Sequence, residues 1–305
     1  MELAPIILFV YNRPDHTCRT IEALQRNPLA AQSELVVYSD GPRRECDWRK
    51  VEEVREVVQR ASGFRSIAIR ASEGNRGLAA SIIDGVTSVI NEHGRVIVLE
   101  DDLVVSPYFL TYMNDALEFY AGMEQVMHVS GYWFPIGPEG APGTFFLRLP
   151  SSWGWATWAR AWRWFRKDPK SLQKSFSQAD ILRFNFEGAN DFWEQVVHNL
   201  NGKADTWAIF WYAAIFRRNG LCLYPSRSLV ENIGADGTGE HCLITDIYKS
   251  ELASSRVDDF TVLLEENKLA LDCLKEFYAS NRIGRLKRFV EVNRIRLKNI
   301  LGRNP

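Results

Sequence analysis

The sequence has little that would tie it to a metal ribbon, a membrane or a nucleic acid. Its five cysteines (Cys18, Cys46, Cys222, Cys242 and Cys273) are odd in number, widely scattered and form no CxxC pair. That excludes a zinc ribbon, a thiol redox motif and a disulfide-stapled scaffold. The longest apolar runs, 6-IILFV-10 and 96-VIVL-99, are strand-sized and fall far short of the ~20 residues that span a bilayer. Lys and Arg total 37 against 38 Asp and Glu, so no global field draws polyanions to the whole molecule. No GxGxxG follows a strand-like run, which excludes a dinucleotide dehydrogenase. The turn after the first run, 11-YNRPDH-16, has no glycine, which counts against a nucleotidyltransferase that must cradle a triphosphate. The opening MELAPIILFVYN has no basic region ahead of its apolar run and reads as the start of a mature cytoplasmic chain.

What is present is an ordinary globular composition, 46% apolar and 25% charged over 305 residues, enough for one large α/β domain or two small ones. Apolar, β-branched runs at 5–10, 34–39, 65–70 and 95–99 alternate with helical periodicity at 15–27, 47–61 and 76–92. That alternation predicts a doubly wound, mostly parallel sheet with helices on both faces. Ligands of such sheets sit beyond the carboxyl ends of the strands. Here those ends carry Tyr11-Asn12-Arg13-Pro14, Asp40-Gly41-Pro42, 72-SEGNRG-77 and Glu100-Asp101-Asp102. After a helix at about 107–121 the character changes. A strand at 126–132 leads to a Pro- and Gly-rich loop at 135–143, and eight of the ten tryptophans then fall between 153 and 211. This divides the chain into residues 1–124, 125–250 and 251–305, with helices expected at 258–280 and 283–301.

The strongest local feature is 96-VIVLEDDL-103, an apolar strand ending in three consecutive acids. Adjacent carboxylates repel, so they are costly at a buried strand end unless a cation neutralises them. Hard divalent ions take carboxylate oxygens and bridge to a substrate's phosphates. The alternative is a solvated acidic turn at a helix N-terminus. Four wholly apolar residues before the acids, and Asp40 at another strand end, favour a metal–diphosphate site.

The order strand-Tyr-Asn-Arg-Pro, strand-Ser-Asp-Gly, Asn-Arg-Gly, Leu-Glu-Asp-Asp-Leu resembles a GT-A glycosyltransferase. The segments 98-VLEDDLVVSPYFLTYM-113, 128-HVSGYW-133 and 152-SWGWATW-158 are similar to the N-acetylglucosaminyltransferases that begin complex N-glycans and to bacterial sugar transferases. The resemblance covers about residues 4–245. It implies an inverting, Mn²⁺- or Mg²⁺-dependent hexosyl- or N-acetylhexosaminyltransferase using a UDP-sugar, with N-acetylglucosamine one candidate donor sugar. It implies that Asp102 ligates the metal, Asp101 holds the ribose or the metal's water shell, and Glu100 faces the donor sugar. Asp40 would read the uracil edge, with Arg13 and Arg76 beside the nucleotide. A late-loop histidine commonly touches the metal or diphosphate in such enzymes, and His241 in 231-ENIGADGTGEHC-242 fits that order.

An inverting transfer needs a general base for the acceptor hydroxyl. Asp205, heading the apolar run 203-KADTWAIFWYAAIF-216, is the first candidate, with Asp191 and Glu194 in reserve; a helix N-cap is its competing role. Aromatic rings suit the apolar faces of sugars. Trp155, beside Gly154 in a segment expected to start a helix, is assigned to the acceptor, and Trp158 and Trp162 to packing. Residues 282–303 carry eight basic side chains and one acid, leaving 29 basic against 37 acidic elsewhere. As a basic amphipathic helix over 283–301, this tail suits the anionic inner face of a membrane, or self-association. A lipid-linked saccharide acceptor, as in bacterial surface polysaccharide assembly, would fit a cytoplasmic, peripheral location. The competing readings are a catalytically inactive carbohydrate-binding protein and a nucleotidyltransferase on a related fold.

Overall fold

The computed structural model describes residues 2–137, 143–237 and 245–281. Its first hundred residues follow the alternation in the sequence. The strands are β1 (Ile6–Val10), β2 (Glu34–Ser39), β3 (Ser66–Ala71) and β4 (Arg95–Glu100), and between them run α1 (Pro14–Gln25), α2 (Trp48–Gln59) and α3 (Leu78–His93). The five residues of β1 are all buried, as expected of a parallel strand covered on both faces. Pro14 opens α1 with its fixed φ. α3 closes on Gly94 at φ 74°, whose N–H caps the Ile90 carbonyl, a left-handed stop that glycine adopts without strain.

Beyond β4 come β5 (Leu103–Val105), α4 (Phe109–Phe119), β6 (Val126–Ser130), β7 (Thr144–Leu147) and β8 (Trp155–Trp158). The helices α5 (Ala159–Trp162), α6 (Pro169–Ser175), α7 (Gln178–Phe184), α8 (Trp193–Leu200) and α9 (Ala208–Arg217) follow, then β9 (Leu221–Pro225) and β10 (Val230–Asn232). One mixed, mostly parallel eight-stranded sheet, ordered β3-β2-β1-β4-β8-β6-β9-β7, runs through both halves of the chain. β5 and β10 form a small antiparallel pair. Among the described residues no helix is long and apolar enough to cross a membrane. The tail 283–301 lies outside the described residues.

Two expectations are corrected. The segment 152–158 does not start a helix: β8 runs antiparallel between β4 and β6, with Trp155 opposite Val98 and Ser130. Its four residues are buried throughout, and aromatic and β-branched side chains fill a pleated surface better than a helix turn. Only α5, a single turn, follows. The helix expected from 258 begins at 268. Residues before it instead lie along the outer edge of β7: Thr144 Oγ1 donates to the Asp259 carbonyl at 2.8 Å, and the Asn267 N–H donates to that of Phe146 at 2.9 Å. An uncovered sheet edge is a liability, and this segment shields it.

The tryptophans make the core of the second half. Trp155 is 1% exposed; it stacks on His128 at 5.4 Å and on Trp207 at 5.3 Å between centroids. Trp211 Nε1 donates to His128 Nδ1 at 3.2 Å. Burial pushes His128 down to about 3, so the ring is neutral. An unfolded histidine titrates near ~6.5, so between those values the unfolded chain binds a proton the native chain refuses. Stability contributed here is complete above that range and falls as pH drops through it, by at most about 1.4 kcal/mol per unit. Urea unfolding from pH 7 to 4 should show a shallower pH slope for His128→Phe than for wild type. Equal slopes would contradict a neutral, buried His128.

Candidate active site

Strand order reverses between β1 and β4: the chain steps outward through β2 and β3, then returns to the far side of β1. A cleft of about 600 Å³ opens at the carboxyl ends of β1, β2 and β4, where such a switch point leaves a crevice. Its size is that of a small-molecule site. Glu100, Asp101 and Asp102 line it together with Asn12, Arg13, Asp40 and Lys50.

The three acids are held differently. Asp101 is buried; its carboxylate accepts from the Tyr11 N–H at 3.2 Å and its carbonyl from Thr20 Oγ1 at 2.8 Å. Burial, reinforced by the charge of Asp102, pushes Asp101 up to about 7 against the pull of Arg13. Glu100 is raised for the same reasons: burial first, then its two acidic neighbours. Asp102 is paired with a cation. Its Oδ2 accepts from Arg13 Nη1 at 2.8 Å, and its carbonyl accepts from the Ile233 N–H at 2.9 Å, just past the β5–β10 pair. Arg13 also donates from Nη2 to the Gly234 carbonyl at 3.1 Å, and lies 3.6 Å from Asp236 Oδ1. His16 Nε2 is 3.2 Å from the other oxygen of Asp236.

Tyr11 is fixed by its hydroxyl, which donates to Asp47 Oδ2 at 3.1 Å and accepts from the Arg43 N–H at 3.1 Å. Asp47 is in turn gripped by Arg44, which holds its carboxyl below the usual range.

Asp40, expected to read a uracil edge, lines the cleft and also holds a loop in place. Oδ1 accepts from the N–H groups of Gly41 at 2.9 Å and Arg76 at 2.8 Å; Oδ2 accepts from the Gly77 N–H at 3.0 Å and Asn75 Nδ2 at 3.1 Å. These contacts use about the whole accepting capacity of a carboxylate. Asp40 therefore staples the 72–77 loop to the end of β2. Gly41 permits the close approach: a Cβ there would lie 2.6 Å from the Gly74 carbonyl carbon. Arg76 contributes its backbone to this staple, while its guanidinium pairs with Asp84 and lines an adjoining cavity of about 380 Å³.

Two further expectations fall away from the cleft. Trp155 is a core residue, closed to an acceptor by the rings around it. Asp205 lies three residues ahead of α9, with its side chain 71% exposed and paired with Lys167. It does not cap that helix, and it does not line the cleft. Asp191 accepts from the Glu194 N–H at 3.2 Å at the start of α8, and Glu194 faces His198. Trp158 and Trp162 are buried. His241 lies outside the described residues. Sequence reasoning missed Arg44, Asp47 and Lys50, and quoted Asn12, His16, Gly234 and Asp236 only within longer segments, without a role. Arg44 and Lys50 follow the end of β2 and could have been found from that position alone. Gly234 had no signal of its own, because any residue supplies the carbonyl that holds Arg13 and the rest of its role is the absence of a side chain.

The resemblance implies a divalent ion, and the donor set fits one. Among the described residues no group of three or more His, Cys, Asp and Glu is gathered to hold a metal by itself. Mg²⁺-type sites commonly take one or two carboxylates, with phosphate oxygens completing the shell. Asp102 offers that carboxylate at the cleft, and Gly234 keeps its flank clear: a Cβ there would come 2.1 Å from Oδ2.

No family model and no curated protein matches the chain. Among solved structures it is similar to the mannosyltransferase PcManGT from Pyrobaculum calidifontis in complex with GDP-Man and Mn²⁺. The identity is 11%, over 70% of this chain and 72% of that one, with a TM-score of 0.40. It is also similar to S. aureus TarS, at 16% identity over 45% of this chain and 22% of that one, with a TM-score of 0.30. At these values neither structure assigns a substrate to this chain.

The Asp40 staple is testable without a ligand. In Asp40→Ala, amide hydrogen exchange across 72–77 should accelerate by about tenfold or more, the scale set by losing charge-assisted hydrogen bonds. Unchanged protection of that loop would contradict the assignment.

Proposed function

We propose that the chain is a metal-dependent inverting glycosyltransferase of GT-A type, which moves a hexosyl or N-acetylhexosaminyl group from a UDP-sugar to a saccharide or lipid-linked saccharide. The observation that carries this reading is the acidic end of β4, set in a cleft at the switch point of the sheet. As the glycosidic bond breaks, the leaving diphosphate gains negative charge. A divalent ion at Asp102, when bound, neutralises that charge. The chain's own part is to hold the site still. The Tyr11 N–H fixes Asp101, the staple at Asp40 fixes the wall of the cleft, and Arg13, which lines the cleft, would meet the diphosphate. On this reading residues 1–124 bind the donor, 125–250 the acceptor, and Glu100 faces the sugar.

The base in this proposal, drawn from the sequence, is Asp205, which does not line the donor cleft and would act from the acceptor side. The acceptor oxygen bonds to the anomeric carbon, the bond to the diphosphate oxygen breaks, and the acceptor's proton passes to the carboxylate. Its exposure leaves it open to a saccharide arriving from solvent, once Lys167 yields. The UDP donor, the role of His241, a peripheral membrane location and a part in surface polysaccharide assembly belong to the same proposal, drawn from the sequence.

Two substitutions separate the roles. Asp102→Ala should abolish Mn²⁺-dependent transfer and donor hydrolysis while the thermal transition stays cooperative; wild-type turnover in that variant contradicts the mechanism. Asp205→Asn should keep UDP affinity and lower turnover by about 10² or more, the scale of a lost general base. If UDP affinity falls in parallel with the rate, Asp205 belongs to donor binding and the base lies elsewhere.

A further inference from the structure

Arg13 reaches across the switch point from the end of β1 to the end of β4. Its backbone is anchored: its carbonyl accepts from both the N–H and the Oγ1 of Thr17, each at 2.9 Å, in the first turn of α1. Its side chain is only 13% exposed, and that of Asp102 only 14%. The guanidinium sits 2.8 Å from the Asp102 oxygen that the functional reading gives to a divalent ion, and 3.6 Å from the more exposed carboxylate of Asp236. The Gly234 carbonyl holds its second nitrogen, and a Cβ at Gly234 would press on both partners, 2.1 Å from Asp102 Oδ2 and 3.0 Å from Arg13 Nη1. The local fold is built around this pair.

We infer that Arg13 is the resident counter-cation of Asp102 and sets the order of binding, opposing a divalent ion that arrives alone and accepting one that arrives with a diphosphate. The inference rests on the glycosyltransferase reading. A dication brought to Asp102 meets a monocation already paired there, and like charges at this separation repel strongly when partly shielded from water. A nucleoside diphosphate carries the anionic oxygens that satisfy both: the guanidinium turns from the carboxylate to a phosphate oxygen, a bidentate partner of matching geometry. Metal and diphosphate then bind with positive coupling, and the coupling is reciprocal. Without Arg13, Asp102 is open to the metal but the diphosphate loses a partner.

The test is Mn²⁺ binding followed by the electron paramagnetic resonance signal of the unbound ion, with and without UDP. The proteins are wild type, Arg13→Met, Arg13→Gln and Arg13→Lys. Both neutral variants should bind Mn²⁺ alone about tenfold more tightly than wild type, the scale of removing one partly screened charge. They should bind UDP in the presence of Mn²⁺ about tenfold more weakly, so the coupling between the two ligands collapses. Arg13→Lys, which keeps the charge, should resemble wild type toward Mn²⁺ alone. Using two neutral variants guards against one that fails to fold, as judged by its thermal transition. Neutral variants that bind Mn²⁺ alone no better than wild type overturn this inference and leave the functional reading standing. A wild type that binds no Mn²⁺ even with UDP overturns both.

Discussion

Three consecutive carboxylates at the end of a buried strand are the constraint around which this molecule is arranged. β4 lies in the interior of the sheet between β1 and β8, so its last residues cannot swing out to solvent. Carboxylates held there lose hydration and then repel one another, which raises Glu100 and Asp101. The surroundings answer with the Tyr11 N–H on Asp101 and the Arg13 guanidinium on Asp102. Both come from the turn between β1 and α1. The β5–β10 pair adds the Ile233 N–H and a glycine whose missing side chain makes room. Such an arrangement costs stability unless something is gained from it. The gain on the present account is a site ready for a cation and a diphosphate.

The rest of the cleft is fixed by similar exchanges between loops and strand ends. Asp40 turns the loop after β3 into a wall by accepting from its backbone, and Asp47 aligns Tyr11 from the start of α2. Strand β8 then joins the two halves: it runs antiparallel against β4 on one side and β6 on the other. The aromatic core of the second half is thereby packed directly behind the acidic strand end. No linker separates β1 to β4 from the remainder of the sheet.

Much of this was legible in the sequence where the physics is local or periodic. The alternation of apolar runs with helical spacing placed β1 to β4 and α1 to α3, and the run of acids after an apolar strand marked the end of β4. Reading failed where the deciding partner is distant in the chain. Asp40 stood out only as an acid at a strand end; its hold on the Arg76 and Gly77 N–H groups, 36 and 37 residues on, and on the Asn75 side-chain amide, 35 on, could not be read. Trp155 looked like a sugar platform because a tryptophan carries no mark of which face will be covered; His128 and Trp207, 27 and 52 residues away, cover it. Segment 152–158 has the aromatic density of a helix face as well as of a strand, and only pairing with β4 and β6 decides between them. Arg13 was noted beside a nucleotide, but its grip on Asp102 depends on the closeness of two strand ends 89 residues apart.

The central claim is that the end of β4 binds a divalent ion together with a nucleoside diphosphate. Anomalous diffraction from crystals grown with Mn²⁺ and UDP tests it most directly, because the metal reveals its own position. The account predicts a manganese peak in the cleft within coordination distance of the Asp102 carboxylate, bridged to the diphosphate. A diphosphate bound in the cleft with no peak at Asp102, or a manganese peak elsewhere on the protein, would contradict it.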